Sequence, residues 1–233
     1  MTHYKVADTV FALPDARPGI RRRLADYETA ETAELEIAPT AADLAELRTE
    51  LEEPASDAYL EWLAIYRRLS DHVLNKDILL FHGSALALDG EVYLFAAPSG
   101  TGKSTHARLW RERFGDRVRM VNDDKPLLGI RDEGVTVYGT PWDGKHHLSA
   151  NLALPLKALC LLERDERNHI EPIAPMEALP ALLRQAYRPE ALDRVLPLVT
   201  RLADAVPLYR LGCNMDPEAA EIALQGMSGG ERP

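Results

Sequence analysis

Nine consecutive residues carry groups that commonly bind phosphate, and they read APSGTGKST at positions 97–105. Gly100 and Gly102 allow backbone N–H groups to turn toward phosphate oxygens. Lys103 can reach the outer phosphates, and the hydroxyl of Ser104 is suited to Mg²⁺. An apolar run at 92–96 precedes the stretch and a helix-like segment follows it. The pattern predicts a phosphate-binding P-loop whose nucleotide contacts come from Ser99, Gly100, Thr101, Gly102, Lys103, Ser104 and Thr105.

Two adjacent carboxylates, Asp123 and Asp124, follow the strand candidate at 118–121. Only one predicted helix and one predicted strand separate them from Lys103. Carboxylates at the carboxyl end of a strand that adjoins a P-loop strand lie where nucleotide-bound Mg²⁺ sits. We therefore expect this pair at the reaction centre, and a solvated turn at the end of a strand is the alternative interpretation.

A further polar stretch, GTPWDGKHH at 139–147, directly follows a predicted hairpin. We expect Lys145 and one imidazole of the pair His146 and His147 to face phosphate or substrate. Trp142 and Arg188 are further candidate substrate contacts. A plain solvated loop is the alternative, and a metal site at the two histidines is not favoured because no further ligand is spaced around them.

The elements that must position these residues divide the chain at about residue 76. Residues 1–76 are predicted to form a small N-terminal α+β region, with strands at 4–12 and 33–37 and amphipathic helices at 41–51 and 58–74. Residues 77–227 are predicted to form the P-loop core, in which the Asp89-Gly90 pair marks a hairpin. Residues 228–233 are predicted to be a disordered tail.

The composition narrows the classes of partner. A net charge of −10 argues against a nucleic-acid or anionic-membrane binder, because both need clustered Lys and Arg. The two cysteines, Cys160 and Cys213, lie far apart with no metal-binding spacing and are interpreted as reduced structural thiols. With no apolar segment long enough to span a membrane and no signal-like N-terminus, a cytoplasmic location is expected. The sequence leaves open whether the chain forms a homo-oligomer.

The set formed by His82-Gly83, the P-loop and Asp123-Asp124 resembles the HPr kinase/phosphorylase fold family. The resemblance is to its shorter relatives, with the patterns APSGTGKST, NDDKP and GTPWDGK, some of which are similar to kinases of peptide-modification gene clusters. The core is also similar to ATP-dependent phosphoenolpyruvate carboxykinases. The resemblance covers about residues 78–190 and implies an α+β fold in which the P-loop lies on a mixed, largely antiparallel sheet.

Transferred by position, the resemblance implies that Lys103 binds the β- and γ-phosphates and that Ser104 binds Mg²⁺. It implies that Asp123 or Asp124 is the general base toward an attacking hydroxyl while the other helps to hold the metal, with Asp124 as the candidate ligand. His82 corresponds to a histidine near the reacting phosphate. The bacterial HPr kinases have Glu where this chain has Thr105, so HPr is not indicated as the substrate.

The leading expectation is an ATP- and Mg²⁺-dependent kinase that transfers the γ-phosphoryl group to a hydroxyl of a peptide, a protein serine or a small molecule. Its catalytic set would be Asp123, Asp124, His82, Lys103 and Lys145. The alternative is a nucleotide-binding regulatory or assembly protein that phosphorylates no acceptor. Thr105 and the acidic N-terminal helices, which could dock a partner, motivate that alternative.

Overall fold

The computed structural model describes residues 1–51, 53–187 and 191–229. The chain divides into two compact units, residues 1–76 and the residues from 77 onward. Within the described residues, no helix has both the length and the apolar character that crossing a membrane requires.

The N-terminal unit holds a four-stranded sheet with helices after it. Its elements are β1 (Thr2–Val6), β2 (Thr9–Leu13), α1 (Pro18–Arg23), β3 (Glu28–Thr29), β4 (Leu35–Glu36), α2 (Ala41–Glu50) and α3 (Asp57–Val73), with the strand order β3-β1-β2-β4. The prediction of one strand over 4–12 is wrong, because Ala7 and Asp8 adopt positive φ angles and turn the chain into an antiparallel hairpin. Neither residue is glycine, and although Asp8 is of a type that tolerates this conformation, the local turn signal is weaker than that of the Asp89-Gly90 pair.

The two long helices of this unit begin at side-chain caps. Thr40 and Asp43 form a capping box at the start of α2, and Ser56 caps α3. The apolar positions of α3, among them Leu60, Ile65 and Leu69, share one buried face, as their spacing predicted.

The second unit contains the candidate site. Its elements are β5 (Ile78–Leu80), β6 (Ser84–Leu88), β7 (Glu91–Ala96), α4 (Lys103–Phe114), β8 (Val118–Asn122), β9 (Leu127–Arg131), β10 (Gly134–Tyr138), β11 (Ala153–Arg164), β12 (His169–Pro172), α5 (Pro175–Gln185), α6 (Leu192–Ala205), β13 (Leu208–Cys213) and α7 (Glu218–Ser228). The predicted tail at 228–233 begins at the last residue of α7, and residues 230–233 lie outside the described residues.

The main sheet is mixed, with strand order β5-β9-β10-β11-β7-β6-β8 and with β13 and β12 continuing from β11. β11 runs parallel to β7 and β13, whereas β9–β10, β10–β11, β6–β7, β6–β8 and β12–β13 are antiparallel pairs. The predicted mixed, largely antiparallel sheet of an α+β fold is confirmed. The hairpin at Asp89-Gly90 is confirmed too, and both turn residues have positive φ angles.

The strand directions bring the candidate site residues together at one end of the strands. β8 and β7 are both antiparallel to β6, so they point the same way, and β11 and β13 are parallel to β7. The carboxyl ends of these four strands therefore lie at the same end of the sheet as the start of β6. α4 packs on one face of the sheet through Trp110, which contacts Phe95 and Tyr93 and is fully buried.

Candidate functional site

The loop between β7 and α4 has the backbone conformation that its glycines predict. Gly100 and Gly102 have φ angles of 78° and 129°, a region that strains any residue with a side chain. The first turn of α4 contains no acidic residue, and no side chain among the described residues caps it. The loop and the helix N-terminus therefore present backbone N–H groups and the positive end of the helix dipole at the same place.

Lys103 is the first residue of α4, and its side chain is buried beneath the loop. Its ammonium group donates to the carbonyl oxygen of Ala97 at 2.7 Å, across the loop. Burial lowers the pKa of Lys103, and the negative charge of Asp124 partly opposes that shift. A positive charge is thus held inside the loop and close enough to Asp124 to interact with it.

Asn122, the last residue of β8, fixes the turn that carries the two carboxylates. It is fully buried, and its Oδ1 accepts from the backbone N–H groups of Asp124 at 2.8 Å and Lys125 at 2.6 Å. Its Nδ2 donates to the carbonyl oxygens of Thr140 at 2.9 Å and Trp142 at 3.3 Å. One amide side chain therefore holds the carboxylate turn against the 139–147 loop.

Asp123 is a buried carboxylate on the side of the turn that faces α4. Its Oδ1 accepts from the backbone N–H of Gly144 at 2.6 Å. Burial raises the pKa of Asp123, and the like charges of Asp143 and Asp124 raise it further, against the lowering effect of the Gly144 hydrogen bond. Asp123 lines a cavity of about 430 Å³ together with Ser104 and His146.

Asp124 faces the other way, toward His82. Its Oδ2 accepts from Nζ of Lys125 at 2.7 Å, and its Oδ1 lies 3.4 Å from Nε2 of His82. Nδ1 of His82 lies 2.9 Å from Oε1 of Gln185, which can only accept, so the proton is assigned to Nδ1. Burial and the charge of Lys103 lower the pKa of His82, so the ring is neutral at neutral pH and Nε2 carries a lone pair.

The predicted residues of the 139–147 loop do not all lie at the site. Trp142 is buried, so its ring packs in the core and does not present a surface for substrate. Lys145, His146 and His147 are exposed, and Nδ1 of His147 lies 3.0 Å from Oδ1 of Asp143. The structure thus brings only His146 of this group to a cavity that Ser104 also lines. Arg188 lies outside the described residues.

Three residues of the site were not among the predicted site residues. Asn122 fixes the carboxylate turn, Gln185 contacts His82, and Arg164 at the end of β11 donates to the carbonyl oxygens of Gly100 and Thr101. Asn122 directly precedes the carboxylate pair, and that adjacency was the one available signal. Gln185 and Arg164 lie 103 and 63 or more residues from their partners, so local patterns do not reveal them.

A second cavity, of about 550 Å³, borders the loop. Its walls include Ser99, Gly100, Arg164, Arg184 and Gln185. Because Gln185 also contacts His82, this cavity adjoins the side of the site where His82 and Asp124 meet.

The described residues contain no cluster of three or more His, Cys, Asp or Glu side chains that could hold a metal ion by themselves. Mg²⁺ does not need such a cluster, because it is commonly bound by one or two carboxylates together with substrate phosphates and water. Ser104 and Asp123 line one cavity and therefore fit this mode of binding. The resemblance implied Asp124 as a metal ligand together with Ser104, whereas Asp124 contacts Lys125 and approaches His82.

No protein-family model matches this chain, and no curated protein matches its sequence. Among solved structures, the chain is similar to the Hpr(Ser) kinase/phosphatase from Coxiella burnetii, with 12% sequence identity and a TM-score of 0.31. The similarity covers 52% of this chain and 87% of that chain. At this identity and TM-score the similarity says nothing about function. The function must therefore be inferred from the residues of the site.

Proposed function

We propose that this chain is an ATP- and Mg²⁺-dependent kinase that transfers the γ-phosphoryl group to a hydroxyl. One observation supports this most directly: the loop holds a buried ammonium at Lys103, and Asp124, whose negative charge raises the pKa of that ammonium, lies 3.4 Å from His82. A phosphate-binding cation thus adjoins two groups that can accept a proton. A loop that only binds an anion does not need proton-accepting groups beside it.

The residues divide into a phosphate-binding part and a proton-accepting part. The loop N–H groups and Lys103 bind the β- and γ-phosphates and neutralise their charge. Ser104 and Asp123 would hold Mg²⁺, which would shield the phosphate charge and orient the γ-phosphoryl group. Asp124 accepts the proton of the acceptor hydroxyl, and the imidazole of His82, 3.4 Å from Asp124, borders the same space.

The transfer balances without a further reactant. The acceptor oxygen forms a bond to the γ-phosphorus while the bond from that phosphorus to the β–γ bridging oxygen breaks. Asp124 takes the hydroxyl proton, and ADP leaves with the electron pair of the broken bond. Lys103 offsets the charge that develops on the bridging oxygen.

A nucleotide-binding regulatory protein is the second candidate, and one observation favours it. Both carboxylates already have protein partners, since Gly144 donates to Asp123 and Lys125 pairs with Asp124. A permanently engaged carboxylate can position a loop without taking part in chemistry. In that case nucleotide binding would reposition the 139–147 loop through Asp123 and Gly144.

Incubation with γ-labelled ATP and Mg²⁺ tests the proposal. Production of ADP is measured first, because slow transfer to water requires no knowledge of the acceptor. A panel of serine peptides and small hydroxyl compounds is then screened for label. We expect Lys103→Met to abolish nucleotide binding and Asp124→Asn to leave binding intact while turnover falls by about 10²- to 10⁴-fold.

Lys157→Met is the matched control, because Lys157 is a lysine of the same unit that pairs with Glu91 on the sheet. It should retain wild-type turnover. Tight ATP binding with no ADP and no labelled acceptor, in the wild type and in Asp124→Asn alike, would exclude the kinase and favour the regulatory protein.

A further inference from the structure

The 550 Å³ cavity beside the loop combines an apolar wall with two cationic side chains. Its walls are formed by small or apolar residues and by polar side chains, among them Ala97, Leu161, Ala181, Arg164, Arg184 and Gln185. The volume lies within the range of about 300–1,000 Å³ that is typical of pockets for small molecules. A small molecule with a short carbon skeleton and a charged group suits such a wall.

Gln185 connects this cavity to the place where the proton is accepted. The residue is only 7% exposed, and its Oε1 lies 2.9 Å from Nδ1 of His82. Its backbone carbonyl oxygen also accepts from the N–H of His82 at 2.8 Å. Two contacts therefore hold the end of α5 against His82, which lies 3.4 Å from Asp124. A molecule in the cavity is thus close to the proposed base.

Arg184, the penultimate residue of α5, adds a positive charge that no protein group neutralises. Its exposed side chain forms no hydrogen bond and no ion pair with any residue that the structure describes. The other charged wall residues are engaged, because Arg164 donates to loop carbonyl oxygens and Glu163 pairs with Arg210 at 3.2 Å. The N–H donors of Arg184 therefore remain for a ligand.

The charges of the wall favour an anionic ligand. With Glu163 neutralised by Arg210, the wall carries the positive charges of Arg164 and Arg184, in a chain whose net charge is −10. Such a chain repels anions in general, so an anion binds where positive charge is concentrated locally. The planar guanidinium group fits the oxygens of a carboxylate or a phosphate with two parallel hydrogen bonds.

We infer that the 550 Å³ cavity binds the phosphoryl acceptor, and that this acceptor is a small hydroxy compound with an anionic group, a carboxylate or a phosphate, which Arg184 binds. The inference rests on the proposed function and adds the chemical class of the acceptor. The hydroxyl oxygen attacks the γ-phosphorus as its proton passes to Asp124 and ADP leaves. The anionic group stays at Arg184 and changes no bond, so Arg184 determines specificity.

Matched pairs of acceptors test the charge requirement. ADP production by the full-length protein with ATP and Mg²⁺ is measured for a panel of hydroxy acids and hydroxy phosphates, each beside its neutral counterpart. Examples are glycerate with glyceramide, N-acetylserine with N-acetylserinamide, and glycerol phosphate with glycerol. We expect an anionic member to exceed its neutral counterpart at least about tenfold in kcat/KM, and the active members distinguish a carboxylate from a phosphate. Neutral counterparts that serve equally well would overturn the inference.

Arg184→Gln separates acceptor binding from nucleotide binding. It should raise KM for the anionic acceptor about 10- to 100-fold, with kcat nearly unchanged and with the same affinity for Mg²⁺·AMP-PNP in calorimetry. Arg184→Lys keeps the charge and loses the planar fork, so its KM should be intermediate. Arg167→Gln is the matched control, because Arg167 is exposed between β11 and β12 and lines neither this cavity nor the one of about 430 Å³. It should change none of these values.

Three further outcomes would overturn the inference. A loss of AMP-PNP affinity in Arg184→Gln that equals the rise in KM would assign Arg184 to the nucleotide phosphates. Label on serine peptides and on no small hydroxy compound would make the acceptor a protein. Both results leave the proposed kinase in place, because ADP is still produced. If ATP yields no ADP with water or with any acceptor, the proposed function fails and the inference fails with it.

Discussion

Asp123→Asn should make the second unit more stable and less active at the same time. The substitution keeps the shape of the side chain, and the amide oxygen can still accept from the N–H of Gly144, which donates to Asp123 at 2.6 Å. It removes a negative charge from a residue that is only 7% exposed. The charges of Asp143 and Asp124, which raise the pKa of Asp123, then lose their repulsive partner.

The sign of the effect follows from the direction of the pKa shift. Because the fold raises the pKa of Asp123, the folded state binds this proton more tightly than the unfolded state does. Ionised Asp123 therefore costs stability above its folded pKa, and the cost disappears below the unfolded value of about 3.9. At pH 7 we expect the variant to gain about 1 kcal/mol, which is about 2–4 °C in melting temperature for a chain of this size.

Thermal unfolding from pH 7 down to pH 4, together with turnover at pH 7, checks the prediction. The stability gain should shrink as the pH falls through the pKa of Asp123, and turnover should drop by at least about tenfold as the Mg²⁺ requirement rises. Asp116→Asn, at an exposed position of the same unit, is the control and should change neither property. A variant that melts below the wild type at pH 7, or a gain that is the same at pH 4, would refute the reasoning.

Three other substitutions test the positioning of the carboxylate turn. Asn122→Ala leaves several buried backbone groups without partners, so we expect the free energy of unfolding, measured with urea, to fall by about 2–4 kcal/mol. Most of the turnover should be lost too, because the N–H of Asp124 loses its acceptor. Gly144→Ala would place a Cβ 3.0 Å from Oδ2 of Asp123, so we expect turnover to fall several-fold with little change in melting temperature; unchanged kinetics would show that this contact yields freely. Gly139→Ala would place a Cβ 1.9 Å from a backbone oxygen of the adjoining segment and should prevent folding of the second unit, whereas a soluble variant with a wild-type circular dichroism spectrum would contradict the observed packing.

Local signals accounted for the parts of this fold that the sequence predicted correctly. The Asp89-Gly90 hairpin, the helix from Asp57 and the order strand, loop and helix around Gly100 each depend on neighbouring residues. In β11, Pro155 interrupts the local strand pattern of the sequence. The structure makes it one strand that pairs with β10 over 153–155 and with β13 over 159–164, while its register with β7 shifts between Leu156 and Ala158; only tertiary pairing reveals that.

Arg164 illustrates why the finer geometry of the site could not be predicted. Its guanidinium donates to the carbonyl oxygens of Gly100 and Thr101, although it lies at the far end of β11. In a trans peptide the C=O of one residue points opposite to the N–H of the next. Holding these two carbonyls toward Arg164 therefore turns the N–H of Gly102 to the other side, into the concave face of the loop. The glycines permit that conformation, but Arg164, a cation on the neighbouring parallel strand, selects it. In a chain with a net charge of −10, Arg164 also adds to the local positive field at the N-terminus of α4.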